Sequence, residues 1–119
     1  MDLNSKRAYD DAAASDGFRV LVDRLWPRGI SKEDARIDLW AKEVAPSDEL
    51  RKKLHADSDF WPEFQKKYRA ELHGDSSSAL HELVDTLRDK KTVTLVFSAH
   101  DTAHNNVVVL EQELRKLLG

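Results

Sequence analysis

The sequence predicts a small α/β protein, in which residues 1–119 form a single domain with an at least partly parallel sheet and helices packed on its faces. Short apolar runs rich in β-branched residues alternate along the chain with longer segments whose apolar residues have helical spacing. A chain of 119 residues has the ordinary size of one domain. The most linker-like stretch, residues 74–78, is too short to separate two domains.

Two strands and two helix starts are predicted in the first half of the chain. Residues 3–9 are expected to form a short strand, and residues 18–25 a second, apolar strand inside the sheet. A turn then leads to Ser31, which is predicted to cap a short helix. Residues 38–44 fit neither a helix nor a strand decisively. Ser47 is predicted to cap the next helix because two acidic residues follow it.

Three helices and one strand are predicted in the second half. The clearest helix carries apolar residues at every fourth position: Phe60, Phe64, Tyr68 and Leu72. This stripe is expected to be core rather than a stacking surface. Residues 78–89 follow as a helix and residues 92–98 as a buried strand. The helical spacing of the last apolar residues predicts a C-terminal helix, with Asp101 or Thr102 as its cap.

The composition excludes several classes of function. There are no cysteines, which rules out disulfides, thiolate zinc sites and iron–sulfur clusters and favours a cytoplasmic location. No apolar run suits a membrane span or an export signal. A net charge of −3 argues against nucleic-acid binding. Neither glycine-rich nucleotide-binding fingerprint is present, and the sequence identifies no cofactor.

Candidate functional residues follow two of the predicted strands, where ligands usually bind in open α/β sheets. The candidates after the second strand are Arg24, Trp26, Arg28 and Gly29. Two guanidinium groups beside a turn and a helix start are suited to a phosphate or a carboxylate. Alternatively, Arg24 forms an internal ion pair with Asp23 or Asp38, and Trp26 is a core aromatic residue.

The loop after the last strand supplies the second set of candidates. Ser98, Asp101 and Asn105 are expected to bind the ligand, and His100 and His104 are the candidate acid–base groups.

A metal site would need the two histidines and Asp101 to share a helical face, and no third or fourth ligand is evident, so no metal ligand is assigned. The alternative for Ser98, which lacks the G-x-S-x-G context of a nucleophile, is a hydroxyl bonded to backbone.

The motifs in and between these loops resemble one family over nearly the whole chain. They read VLVDRLWPRG at residues 20–29, LWxKExAPS at 39–47 and FxxxYRxEL at 64–72, followed by His104-Asn105 before an apolar helix. The chain is therefore identified as similar to the YeaO-like bacterial proteins of domain of unknown function family four-eight-eight. The resemblance implies a cytoplasmic α/β protein and brings no substrate with it.

The chain also departs from other branches of that family. Those branches carry a cysteine at the end of the last strand and a Cys-His-Arg string opening the following helix. Here the corresponding positions are Ser98 and Ala103-His104-Asn105, so only His104 survives as the shared polar group. The resemblance thus supports the location of a site and weakens any borrowed mechanism.

Two hypotheses of function follow from these observations. The first is a small anionic ligand bound between the loops, at Arg24 and Arg28 on one side and at His100 and His104 on the other, with His104 as the acid–base group if there is catalysis. The second is a non-catalytic regulatory or interaction module that binds a protein or nucleic-acid partner. A pocket where both loops meet favours the first, and a flat surface centred on an exposed tryptophan favours the second.

Overall fold

The computed structural model describes all residues from Met1 to Gly119 and contains one sheet of four parallel strands. Along the chain the elements are β1 (Asp2–Arg7), β2 (Phe18–Leu21), α1 (Lys32–Ala35), β3 (Leu39–Trp40), α2 (Asp48–Ala56), α3 (Trp61–His73), α4 (Ser77–Leu87), β4 (Thr92–Phe97) and α5 (Asn106–Leu118). The strand order is β1-β4-β2-β3, and every pairing is parallel. The predicted α/β class with a parallel sheet is confirmed.

Strand β4 is the centre of the sheet, with β1 on one side and β2 on the other. Its sequence, TVTLVF, is apolar and β-branched, as expected for a strand that is buried on both faces. In the register Arg7 lies opposite Phe97 and Leu21 lies opposite Val96, so β1, β2 and β4 end side by side. The loops after β2 and β4 therefore leave the sheet at the same edge.

The two faces of the sheet are covered unequally. A core cluster of 19 buried residues joins one face to helices α2 to α5, whereas the opposite face has a cluster of only three: Ala8, Leu21 and Val96. That second face is covered by the short helix α1 and its flanking loops, which supply Trp26, Ile30 and Ile37. The helical layer thus contributes most of the apolar burial, and this layer also forms one wall of the site described below.

Buried charged groups on the thinner face form ion pairs, although one guanidinium nitrogen of Arg19 (Nη2) is buried without a hydrogen-bond partner. The Arg19 guanidinium lies 2.6 Å from the Asp16 carboxylate, and Lys6 approaches the same carboxylate at 3.2 Å. Burial alone would raise the pKa of Asp16, but hydrogen bonds from the Ala13 amide, Lys6 and Arg19 outweigh it and lower the pKa. Asp16 is therefore buried in its charged form, and its hydrogen bonds hold the chain that leads into β2.

Both predicted strands of the first half are shorter than expected. β1 ends at Arg7 and β2 at Leu21, although residues 3–9 and 18–25 have strand-like composition. One more amide of each strand still reaches β4, because Ala8 and Val22 donate to carbonyls of Phe97 and Val96. Residues 38–44, for which the sequence favoured neither a helix nor a strand, form the edge strand β3 and a 3₁₀ turn.

Most helix predictions are confirmed, and the start of the last helix is wrong. The hydroxyls of Ser31 and Ser47 accept hydrogen bonds from Asp34 N and Leu50 N, as predicted for caps. Of the predicted core stripe, Phe64, Tyr68 and Leu72 are buried on α3, whereas Phe60 lies in the 3₁₀ turn before that helix and is partly buried. The last helix, however, begins at Asn106 and is capped by Asn105, not by Asp101 or Thr102. No helix is both long and apolar enough to span a membrane.

Candidate functional site

A pocket opens at the edge of the sheet where β2 and β4 end. Its volume is about 460 Å³, within the range of small-molecule sites. Its walls are formed by the chain after β2, the chain after β4, and helices α2 and α3. The lining residues are Asp23, Pro46, Arg51, Leu54, His55, Ser58, Phe64, Ser98, Ala99, His100, Asp101, His104, Asn105 and Asn106.

The carboxylate of Asp23 ties the two strand ends together. Its Oδ2 accepts hydrogen bonds from the Ser98 amide at 2.8 Å and the Ser98 hydroxyl at 2.7 Å. Its Oδ1 accepts a third bond, 3.1 Å long, from the Asn106 side-chain amide. Asn106 also donates to the Val22 carbonyl, so the first residue of α5 is held against the end of β2. Ser98 is therefore bonded to a carboxylate rather than to backbone or to a histidine.

The chain after β4 is held from the side of β1 by Arg7. The Arg7 guanidinium donates to the carbonyl of Ala99 at 2.8 Å and to that of Ser98 at 3.3 Å. Its Nη2 also lies 3.4 Å from Nδ1 of His100. Arg7 thus fixes the backbone on which Ser98 and His100 enter the pocket.

A tight turn at Asp101 sets the position of His104. The Asp101 carboxylate accepts hydrogen bonds from the amides of Ala103 and His104, and these bonds lower its pKa. The His104 imidazole stacks on Trp61, with ring centroids 4.8 Å apart. His100 and His104 do not share a helical face, because both precede the helix that the sequence extended to them. No group of three His, Asp or Glu side chains is arranged to hold a metal ion.

Asn105 has a structural task in the same loop. Its side chain is buried, and its Oδ1 accepts from the amides of Val107 and Val108 at the start of α5. Its Nδ2 donates to the Asp101 carbonyl at 2.9 Å. Each polar atom of the side chain is thus engaged within the protein, although the residue lines the pocket.

Helix α2 provides pocket residues that the sequence did not single out. Arg51 lines the pocket, and its Nε is buried without a hydrogen-bond partner. Its nearest carboxylate, Asp48, lies 3.6 Å away, and both side chains are substantially exposed. Leu54 and His55 continue the same helical face into the pocket. The only sequence signal was the i, i+3, i+4 spacing, which does not say what the face contacts.

The candidates of the first loop lie outside the pocket lining. Arg24 donates to the carbonyls of Ala45 and Pro46, at 3.1 and 3.4 Å, and forms no ion pair with Asp23 or Asp38. Trp26 packs against the smaller core cluster, and its indole N–H donates to the Ile30 carbonyl at 2.7 Å. The other two candidates, Arg28 and Gly29, are exposed on the surface.

Residues 44–47, which include the pocket residue Pro46, are held by hydrogen bonds from Arg24 and from α3. Tyr68, fully buried on α3, donates its hydroxyl proton to the Val44 carbonyl at 2.6 Å. Burial, followed by the nearby carboxylates of Asp23 and Glu71, raises the pKa of Tyr68, so the phenol stays a donor. Glu71 in turn accepts from the Ser47 amide at 2.9 Å. The residues after β3 are therefore held at consecutive backbone positions.

Comparison with known proteins gives the chain close relatives. It is 44% identical to the uncharacterized protein YeaO of Escherichia coli over 119 residues, covering 98% of this chain and all of the relative. It is also 44% identical to the uncharacterized protein Rv3073c of Mycobacterium tuberculosis over 108 residues, covering 91% of this chain and 89% of the relative.

No solved structure matches the chain. The model of one family, described as the inactive DUF488-N3 subclade, matches residues 2–119. This match confirms the family that the motifs predict, and the chain belongs to the inactive DUF488-N3 subclade.

Proposed function

We propose that this protein binds a small anionic molecule, of the phosphate or carboxylate type, in the pocket at the ends of β2 and β4. The observation that carries the proposal is Arg51. Its guanidinium lines the pocket, and its Nε is buried with no partner in the protein. A buried N–H of a charged group without an acceptor is costly, and a ligand oxygen that accepts from this Nε would remove that cost.

The other polar groups of the pocket complement this role. His55, His100 and His104 surround the opening and can donate hydrogen bonds to an anion. Two carboxylates are also present, at Asp23 and Asp101, but protein hydrogen bonds already engage both of them. An acidic group of a ligand is therefore expected to contact the positive and hydrogen-donating groups rather than these two carboxylates.

We assign binding rather than turnover to the pocket. The Ser98 hydroxyl donates to Asp23, so no histidine activates it as a nucleophile. His104 and His100 act in this proposal as ligand-binding groups, in keeping with a family described as inactive. Among the predicted ligand-binding residues, Ser98, Asp101 and Asn105 shape the pocket. Arg24 bonds to the backbone of Pro46, which lines the pocket.

A thermal-shift titration tests the proposal. The wild-type protein, Arg51→Gln and the matched control Lys52→Gln are heated with inorganic phosphate, 4-methylpentanoate, nucleotides or sodium chloride of equal ionic strength. A ligand that binds the native state raises the melting temperature by mass action. We expect phosphate or a carboxylate to stabilise the wild type and Lys52→Gln, and to lose most of this effect in Arg51→Gln.

Two outcomes would contradict the proposal. An equal shift in Arg51→Gln and in the control would mean that the anion binds elsewhere. No shift with any compound would favour the alternative function, an interaction module. Trp40 on the edge strand β3 would then be the first surface to test with partner proteins, because its side chain is 36% exposed.

A further inference from the structure

The Asp23 carboxylate in the pocket has hydrogen bonds but no cation beside it. Its three donors, the Ser98 amide, the Ser98 hydroxyl and the Asn106 amide, are all neutral. No Lys, Arg or His nitrogen lies within ion-pair distance of it, although the group is half-buried. The neighbouring cation, Arg24, turns instead to the carbonyls of Ala45 and Pro46.

Asp23 also keeps capacity for a further donor. Its Oδ2 accepts two hydrogen bonds, whereas its Oδ1 accepts one, from Asn106. Each carboxylate oxygen has two lone pairs, so Oδ1 has one lone pair unused. A half-buried carboxylate is stabilised when a cation supplies that bond, since the charge then has both a donor and a counter-ion.

Arg51 lies in the same pocket and has the opposite charge. It pairs with Asp48 at 3.6 Å and not with Asp23, and its Nε has no acceptor. Between the polar groups the lining is apolar, with the side chains of Leu54, Phe64 and Ala99. The pocket therefore offers one anion-binding group, one cation-binding group and a short apolar surface.

We infer that the ligand is a zwitterion with a small apolar body, the chemistry of a free amino acid, whose acidic group binds Arg51 and whose ammonium group binds Asp23. This inference rests on the proposed function, because it assigns the anionic group of the ligand to the same guanidinium. It adds a second point of recognition, which would reject acids without an amine. No covalent step is involved.

Ligands matched in their apolar part and different in their charged groups test the inference by calorimetric titration. The first set is L-leucine, 4-methylpentanoate and 3-methylbutylamine, which carry both charges, the acid alone and the amine alone. The second set is 6-aminohexanoate, hexanoate and hexylamine, in which the charges are further apart. We expect the zwitterion of at least one set to bind about tenfold more tightly than its deaminated acid, as one charge-assisted hydrogen bond provides.

Variants then assign the preference to Asp23. Asp23→Asn retains an oxygen for Ser98 and removes the charge, so the preference for the zwitterion should vanish while the acid still binds. Asp48→Asn, an exposed carboxylate near Arg51 but outside the pocket lining, is the matched control and should keep the preference. The comparison of ligands on the wild type decides the question even if Asp23→Asn does not fold.

The results separate the two proposals. Equal binding of a zwitterion and its deaminated acid would overturn the inference and leave the anion site intact. A preference that survives in Asp23→Asn would also overturn it, as would binding of inorganic phosphate with no binding of either zwitterion. Failure of the proposed function has a different signature, namely that neither phosphate nor any acid binds through Arg51.

Discussion

The loops after β2 and β4 both carry side chains suited to ligand binding, but these side chains have different roles. The first loop carries arginines and a tryptophan, the second carries histidines, Asp101 and Asn105, and both loops leave the sheet at the same edge. In the first loop Arg24 and Trp26 bond within the protein: Arg24 donates to the carbonyls of Ala45 and Pro46, and the Trp26 indole donates to that of Ile30. In the second, His100 and His104 reach the pocket.

The difference between the loops comes from their backbone acceptors. The segment after β3 presents two carbonyls beside Arg24, and a guanidinium fork satisfies both with one side chain. The backbone of the loop after β4 is bonded by the short side chains of Asp101 and Asn105 and by Arg7, so its histidines are not needed for that purpose and line the pocket. An arginine or histidine in a loop after a strand therefore indicates a ligand site only if the nearby backbone carbonyls and amides find their hydrogen-bond partners elsewhere.

The largest effect should come from Arg24→Ala. The variant leaves the carbonyls of Ala45 and Pro46 without their charged donor, and we expect the free energy of unfolding to fall by about 2–3 kcal/mol. Arg28→Ala is the matched control in the same loop. Its side chain is exposed, so the change should stay within about 0.5 kcal/mol. Urea denaturation measures both, and equal losses would contradict the contrast between the two arginines.

Asn105→Ala should have the next largest effect, since it removes the cap of α5. Its Oδ1 accepts from Val107 N and Val108 N, and loss of such a cap costs about 1–2 kcal/mol. Asn105→Asp keeps an accepting oxygen for both amides but loses the bond to the Asp101 carbonyl, so its loss of stability should be smaller than that of Asn105→Ala. If both variants lost the same amount in urea denaturation, capping would not be the role of Asn105.

His104→Ala should destabilise the protein by less, about 0.5–1 kcal/mol, because an exposed aromatic stack is lost. His104→Phe keeps the stack and should remain close to the wild type. The indole Nε1–H resonance of Trp61 provides the readout that a general loss of stability would not give. We expect it to move in His104→Ala, and an unchanged resonance would show that the rings do not stack in solution.

The smallest effect concerns the pH dependence of the loop after β4. The amides of Ala103 and His104 lower the pKa of Asp101 below its usual value of 3.8. Its folded-state pKa lies below the unfolded one, so its stabilising contribution is complete above about pH 4 and is lost as the pH falls through the lowered value. The carbon-13 resonance of the Asp101 carboxyl should therefore titrate below pH 3.8.

The same acid titration has an internal control. When Asp101 is protonated, its bonds to the amides of Ala103 and His104 weaken, and hydrogen exchange at these two amides should accelerate. Asp101→Asn should abolish the acid transition at both amides. A carboxyl that titrates at or above the ordinary value would contradict the assigned turn.

Elements with local causes were predictable from the sequence. The capping hydroxyls of Ser31 and Ser47, and the stripe through Phe64 and Tyr68, depend on residues three or four positions apart. The start of α5 was missed because both Asp101 and Asn105 are good capping residues. Asp101 instead closes a tight turn with the amides of Ala103 and His104, and Asn105 caps the helix.

The site was half predictable for a similar reason. Strand ends in a parallel sheet share an edge, so a site beyond β4 with Ser98 and His104 follows from the fold class. Arg51 could not be chosen, because its role depends on how α2 packs over that edge. From the sequence alone Arg24 is the more obvious candidate. The carbonyls that bind it lie more than twenty residues away along the chain, so the sequence does not reveal that it is already engaged.

A ¹H–¹⁵N spectrum of the arginine Nε–H groups, recorded during separate titrations with inorganic phosphate and 4-methylpentanoate, shows directly whether Arg51 forms the anion site. Arg51→Lys, Arg24→Lys and Arg28→Lys assign the three relevant resonances. We expect at least one anion to shift Arg51 Nε–H together with the backbone amides of residues 98–106, while the resonances of Arg24 and Arg28 do not move. Shifts confined to Arg24 or Arg28, or an Arg51 resonance that neither anion moves, would contradict this expectation.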